Sequence, residues 1–530
     1  MTALNFTSSD SRINEPLTRW FWTIWTVAMS AILVVHLSTI EVAPFLHKDE
    51  FLIVDLGRIV LQPDTDWSIA WMTAYNQPLY FVFYLGPVLQ EGVFSLAGEY
   101  GPRISSLLGG MVAATIMVKW LLAKGTTQAT SLILGLVFLL DPMFVEAYAL
   151  GRVDSWMIAA CLGSCWILAC TNTTPEASNL NLKVALSGAL LALGFFLWPT
   201  AVFFIPLVAL ELYVALSNRV GPGIKNTATS LTCFAGGGVI ACVAIMVPVA
   251  SQFYANLVSI EGMKTNVGVG ITKSGTQLVQ YAFDQLISIF RFLKFTPVLL
   301  IVAAIYALRL RQLGLILALV TVAILMTFTK VYVHRAQYLL PYLIAAVAGI
   351  YPLAKASKGT TLVSRPLLVA LLIWPVALSI GLRFFLAVDS SKERDRKLVY
   401  EAAEKMIGPG SLKVFSTYEF YYPGRSLGWH MYVPYDEVLS AESLAKVADH
   451  IDYAILPANE LTREIHELLT NRGLQNKGVY DMYSGPKVEV SGQEHIRRVR
   501  NLFSIFRRPY GPYNLYAKEE PELVSRQPVK

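Results

Sequence analysis

Charge is scarce in this chain. Of its 530 residues only 15% are Asp, Glu, Lys or Arg, against about a quarter in a typical soluble domain, and that shortage excludes an ordinary water-soluble globule. Cysteine is scarcer still. All five, Cys161, Cys165, Cys170, Cys233 and Cys242, fall inside apolar segments with no CxxC pair, which excludes a disulfide framework and a zinc site built on paired thiolates. They read as small buried apolar residues. The formal charge of +6 comes without a Lys/Arg run or a basic-aromatic patch, so nucleic acid is not among the expected partners. Internal repeats and low-complexity segments are also missing, and no A-x-A cleavage site follows the first apolar segment, which is therefore expected to stay as an anchor.

What is abundant is apolar sequence. Hydrophobic residues make up 55% of the chain, and windows long enough for a hydrocarbon core of roughly 30 Å fall near 19–40, 103–122, 129–149, 155–171, 183–198, 200–217, 228–251, 296–308, 312–329, 337–354 and 366–388. The expected fold is mainly α, a polytopic membrane protein of about eleven transmembrane helices. A twelfth apolar window, 77–98, is ambiguous. Leaving it uncrossed puts Arg12, Arg19, Lys119, Lys124, Lys183, Arg219, Lys225, Arg309, Arg311, Lys355, Lys358 and Arg365 all on one side, the cytoplasm by the positive-inside rule. Counting it as a span would expel every basic loop after the first. Segment 77–98, with Pro87, Gln90 and Glu91 in its middle, is therefore read as a juxtamembrane or re-entrant helix on the outer face.

The N-terminus is then inside and the C-terminus outside. Residues 1–388 form the membrane domain, with 41–102 as a first outer loop carrying juxtamembrane helices. From about 389 the composition becomes that of a soluble domain. "RDRKLVYEAAEKMIG" reads as a helix, "SLKVFST" as a strand, and "LAKVADHIDYAILPANELTREIHELLTNRG" as helix, strand, helix, so 389–519 is expected to be a small α/β domain on the outer face. Residues 520–530 read as a disordered tail.

Under this topology a set of cations at the outer ends of spans owes nothing to membrane orientation. It includes Lys48, Arg58, Arg103, Arg152, Lys264, Lys273, Arg291, Lys294, Lys330 and Arg335, with His47 and His334 beside them. Near lipid headgroups such a set suits a phosphate-bearing lipid, because a guanidinium grips phosphate oxygens in a bidentate fork. Carboxylates form the second set: Asp49 and Glu50 just after the first span, and Asp154 two residues after Arg152. A carboxylate at a partly dehydrated boundary can serve as general base where cations keep it ionised. Each motif also has a plain structural reading, with Asp49 and Asp154 as helix N-caps and Arg152 snorkelling to the interface.

In order along the chain, "HKDE" after the first span, "NQPLYFVFYLGPVLQEGVFSLAGEYGPRISSLLGG", "DPMFVEAYALGRVDSWMIA" and "HRAQYLLPYL" resemble segments of the GT-C glycosyltransferases of the protein O-mannosyltransferase and lipid A aminoarabinose-transferase type. The resemblance covers about residues 15–390. It implies an inverting transfer of a sugar, hexosyl or pentosyl, from a polyprenyl-phosphate donor to a lipid, glycan or protein acceptor on the outer (periplasmic or lumenal) face. By position, Asp49 would be the base, Asp154 the second acidic residue and Arg335 the contact for the donor phosphate. Glu50 joins the catalytic candidates, and His334, Arg152, Arg103 and Lys330 join the phosphate-binding ones. Where the aminoarabinose transferases have Glu-Lys-Pro, this chain reads Asn76-Gln77-Pro78, and their D-E-x-R-Y becomes Asp49-Glu50-Phe51-Leu52-Ile53. No metal site is required, though a divalent cation is compatible with the residues. A transporter or lipid flippase is the competing class, and it would favour polar groups at mid-span and repeated halves. A non-catalytic membrane scaffold is a third. Short loops point to a bacterial inner membrane.

Overall fold

The computed structural model describes residues 20–41, 48–61, 83–171, 180–219, 224–252, 276–292, 295–327, 333–352, 364–381, 383–384, 395–433, 440–482 and 510–518. Two compact units divide the chain. The first comprises Met1–Ser38, Ile53–Leu61 and Gln77–Arg383, and the second Thr39–Leu52, Gln62–Asn76 and Phe384–Lys530.

The first unit is helical among its described residues. It contains α1 (Phe21–Ser38), the later part of α2 (Lys48–Leu61), α3 (Leu85–Ala97), α4 (Gly101–Ala123), α5 (Gln128–Leu140), α6 (Pro142–Ala149), α7 (Asp154–Cys170), α8 (Leu180–Leu197), α9 (Ile205–Arg219), α10 (Ile224–Met246), α11 (Thr276–Phe292), α12 (Pro297–Arg309), α13 (Leu313–Thr327), α14 (Leu340–Ala348) and α15 (Arg365–Val376). Among the described residues five helical segments are long and apolar enough to cross a bilayer, or six if α5 and α6 are one bent span. With a chain that is 55% hydrophobic, they make this an integral membrane protein. Helices α7, α12 and α13 are apolar but have only 17, 13 and 15 residues, short of the roughly 20 that a straight crossing needs.

Two segments take their form for local reasons. The window 129–149 is not one straight helix: it bends by 56° between α5 and α6. Pro142 lacks an N–H and disfavours helical backbone at the residue before it, so Asp141 leaves the helix (ψ 129°) and caps α6, its carboxylate accepting from Met143 N at 3.0 Å. Segment 77–98 contains the 13-residue α3, which reverses at Gly98 (φ +68°) and folds back along α4. Gln90 and Ser106 hydrogen-bond at 2.8 Å although sixteen residues apart, a separation of about 24 Å in a straight helix.

A buried carboxylate knots the opposite end of α4. Glu211 on α9, wholly buried, accepts from Trp120 Nε1 (2.6 Å), the Tyr351 hydroxyl (2.5 Å) and Lys124 Nζ (3.1 Å). Three donors, one of them cationic, offset the cost of taking that charge out of water.

The second unit holds the first turn of α2, then α16 (Lys397–Met406), β1 (Lys413–Ser416), α17 (Tyr421–Ser426), β2 (His430–Tyr432), α18 (Ala441–Ala445), β3 (Tyr453–Pro457), α19 (Arg463–Asn471), β4 (Leu474–Tyr480) and β5 (Tyr513–Lys518). The five strands form one sheet in the order β2-β1-β3-β5-β4. β1 runs parallel to β2 and β3, and β5 antiparallel to β3 and β4. Neighbouring residues of a strand point to opposite faces, and the core divides accordingly. Val414 and Ile455 pack with Val399, Ala402 and Ala403 of α16, while Phe415 and Leu456 pack with Ile465 and Leu469 of α19. Helices thus cover both faces of a small mixed sheet. The tail 520–530 lies outside the described residues.

Candidate functional site

In the first unit the site is built on the turn between α6 and α7. The last turn of α6 closes as Gly151 N bonds Tyr148 O (3.3 Å) and Arg152 N bonds Ala147 O (3.4 Å). This is the paired pattern of a helix C-terminus that requires a left-handed residue. Gly151 supplies it at φ +67°. Three residues later α7 begins, so Arg152 and Asp154 are held across a rigid reversal.

Side chains from two other helices lock that turn. Gln90 Nε2 on α3 donates to Gly151 O (2.9 Å) and to Ser106 Oγ on α4 (2.8 Å). Ser106 Oγ in turn donates to Arg152 O (2.6 Å), and Ser155 Oγ donates to Ser106 O (2.7 Å). All of these side chains are buried, so each bond is made where water cannot substitute for it.

Asp154 is the centre of the arrangement and is fully buried. Arg152 Nε donates to Asp154 Oδ2 at 2.7 Å, and the Tyr338 hydroxyl donates to Asp154 Oδ1. Thr200 Oγ1 donates to the same Tyr338 hydroxyl at 2.8 Å, and the tyrosine ring packs against Phe203 (5.5 Å) and Phe204 (6.4 Å). Both plain readings of this motif fail. Asp154 does not cap α7, whose N-cap is Val153 without a side-chain bond. Arg152 does not snorkel, because it is 4% exposed.

Of the other phosphate candidates, Arg103 is buried at the start of α4. Arg335 is half buried in the 3-10 turn Val333–Leu339 that leads into α14 and carries Tyr338 three residues on. His334 belongs to the same turn, and Lys330 and His47 fall outside the described residues.

In the second unit, Asp49 and Glu50 sit in the first turn of α2. Asp49 is half buried. Glu50 is fully buried, its Oε1 3.7 Å from Arg396 Nη2. Carboxylates in the first turn gain from the positive end of the helix dipole. Among the described residues no group of three His, Cys, Asp or Glu is placed to hold a metal.

Sequence reasoning passed over Tyr338, Thr200, Gln90 as a latch, and Arg396. Tyr338 was in plain view inside "HRAQYLLPYL", three residues after Arg335, but a tyrosine beside apolar residues reads first as an interfacial anchor. Nothing local marks Arg396 or Thr200.

No family model matches the sequence, and no curated protein does so. The backbone matches ArnT from Cupriavidus metallidurans in the apo state over 87% of this chain and 96% of that one, with a TM-score of 0.51 and 15% identity. The chain has the GT-C glycosyltransferase fold. The structure of the same ArnT bound to undecaprenyl phosphate gives a TM-score of 0.51 at 12% identity, covering 86% of this chain and 96% of that one. The arabinofuranosyltransferase AftD from Mycobacteria matches over 96% of this chain, at a TM-score of 0.50 and 12% identity. This chain spans 42% of AftD. In the present GT-C fold, then, a fully buried aspartate is held by a guanidinium and a phenol, a pairing that fixes one carboxylate in one orientation.

Proposed function

We propose that the protein is an integral membrane glycosyltransferase of the bacterial cytoplasmic membrane. It transfers a sugar from a polyprenyl-phosphate donor to an acceptor hydroxyl on the outer face, where the C-terminal domain also lies, and inverts the anomeric carbon. The observation that carries this reading is the buried Asp154 held between Arg152 and Tyr338 in a chain of GT-C fold. In the step, the acceptor oxygen bonds to the anomeric carbon, the bond from that carbon to the phosphate oxygen breaks, and the acceptor proton passes to a carboxylate. The lipid phosphate leaves with the electron pair, and no redox partner is needed.

The two aspartates suit different parts. Asp154 is fully buried with both oxygens already accepting, which suits an oriented electrostatic group. Asp49 is half buried in the first turn of a helix, which suits a base that must meet an incoming hydroxyl. Among the cations, Arg152 is buried, so the half-buried Arg335 fits better a phosphate that must arrive and depart, with Arg103 in support. The purified protein, given a panel of polyprenyl-phosphate sugars and an acceptor extract from bacterial envelopes, should turn over one donor, and Asp49→Asn should lower that turnover roughly 100-fold or more. Movement of the donor across vesicles without its consumption would assign a flippase instead.

A further inference from the structure

The two residues that follow Asp49 are both held by the polar C-terminal region. Glu50 is fully buried and forms an ion pair with Arg396, which stands at the N-cap position of α16 and is itself 4% exposed. Phe51 is also fully buried. Its ring stacks on Tyr418 (6.1 Å between centroids, 8° between planes) and leans on Tyr421 (5.1 Å, 36°). Tyr418 opens the 3-10 turn that leads into α17, and Tyr421 is the first residue of that helix. Charge therefore fixes one residue and aromatic packing the next, and the two side chains leave one α-helical turn about 100° apart. Grips in two directions on consecutive residues oppose both roll and slide of the first turn of α2. Asp49, one residue upstream and half buried, inherits that rigidity.

We propose that the C-terminal domain is part of the catalytic machinery: Arg396, acting through Glu50, is a positioning residue for Asp49. Glu50 is accordingly a buried anchor rather than a second base. The inference rests on the reading of Asp49 as the base. In this proposal the buried ion pair, 3.7 Å between Glu50 Oε1 and Arg396 Nη2, serves geometry, since an apolar pair of similar volume is often equally stable. Displacing a reacting group by about 1 Å can cost on the order of 100-fold in rate.

The test uses the full-length protein in detergent or nanodiscs. Arg396→Gln, Glu50→Gln and the double variant should each lower kcat about 30- to 100-fold while donor KM stays within about threefold, and the double variant should be no worse than either single one. Arg396→Lys should recover part of the loss. Phe51→Leu, which keeps the ion pair, should show the same kcat-only defect and guards against a folding failure at the charged pair. The acid limb of the pH–rate profile should survive in Arg396→Gln and Glu50→Gln and vanish only in Asp49→Asn. Hydrogen exchange supplies a readout independent of turnover: amides of residues 48–52 should lose protection in Arg396→Gln but not in Arg463→Ala, whose exposed ion pair with Glu467 lies elsewhere in the same domain. Unchanged kcat and unchanged exchange in folded Arg396→Gln would overturn the proposal, as would loss of the acid limb in Glu50→Gln. Full activity in Asp49→Asn together with lost protection in Arg396→Gln would instead remove the base assignment and leave the anchoring intact.

Discussion

Replacing Tyr338 by Phe removes one oxygen and leaves the ring where it is, packed against Phe203 and Phe204. That oxygen donates to Asp154 Oδ1 and accepts from Thr200 Oγ1. A hydrogen bond to a charged group is worth about 1.5–3 kcal/mol, and with Asp154 fully buried no water replaces it. If Asp154 acts on charge that develops in the transition state, most of that energy belongs to kcat. At about 1.4 kcal/mol per factor of ten, Tyr338→Phe should then slow transfer by roughly 10- to 100-fold, with donor KM changed less than about threefold. Thr200→Val deletes only the outer bond, between neutral groups, and should cost no more than about tenfold. Both variants are to be assayed for transfer from the polyprenyl-phosphate donor at saturating acceptor, beside thermal unfolding in the same detergent. A Tyr338→Phe protein that folds and turns over within twofold of wild type would refute the role given to Asp154, and the carboxylate would be a structural partner of Arg152 alone.

Three further outcomes are expected. Arg335→Ala should weaken binding of sugar-free polyprenyl phosphate by roughly 10-fold or more, and Arg335→Lys should be intermediate because an ammonium supplies charge without the planar fork; equal affinities in a direct binding assay would reduce Arg335 to an interfacial anchor. Glu211→Leu leaves Lys124 buried without its carboxylate and should lower stability by about 3–5 kcal/mol, read as a drop in Tm, whereas Glu211→Leu combined with Lys124→Met should recover much of it. In a background lacking Cys170, Cys233 and Cys242, an impermeant thiol probe should label Ser95→Cys from outside and Ala129→Cys from the cytoplasm; labelling in the opposite sense would invert the proposed topology.

The sequence by itself determined the solvent. Scarce charge and long apolar windows leave no alternative to a membrane, and the helices near 19–40, 103–122 and 155–171 stand where those windows lie, because in lipid the backbone can satisfy itself only within a helix or a closed barrel. Alternating apolar residues and helix signals likewise marked β1, β3, α16 and α19 in the polar C-terminal region. The strands β2, β4 and β5 were not legible. β2 has three residues, and β4 exposes most of its side chains, so neither carries a two-residue burial period. The bend at Asp141 was written in "DP", but a hydropathy window averages over a proline. Among candidate residues, order along the chain and residue type brought forward Asp49 and Glu50 of the second unit and Asp154, Arg152, Arg103 and Arg335 of the first. Which of them share a bond was decided only by tertiary structure. Tyr338 reaches Asp154 across 184 residues of sequence, and Arg396 reaches Glu50 across 346. Such pairings follow from which helices pack together, and packing depends on the shapes of surfaces that are far apart in the chain.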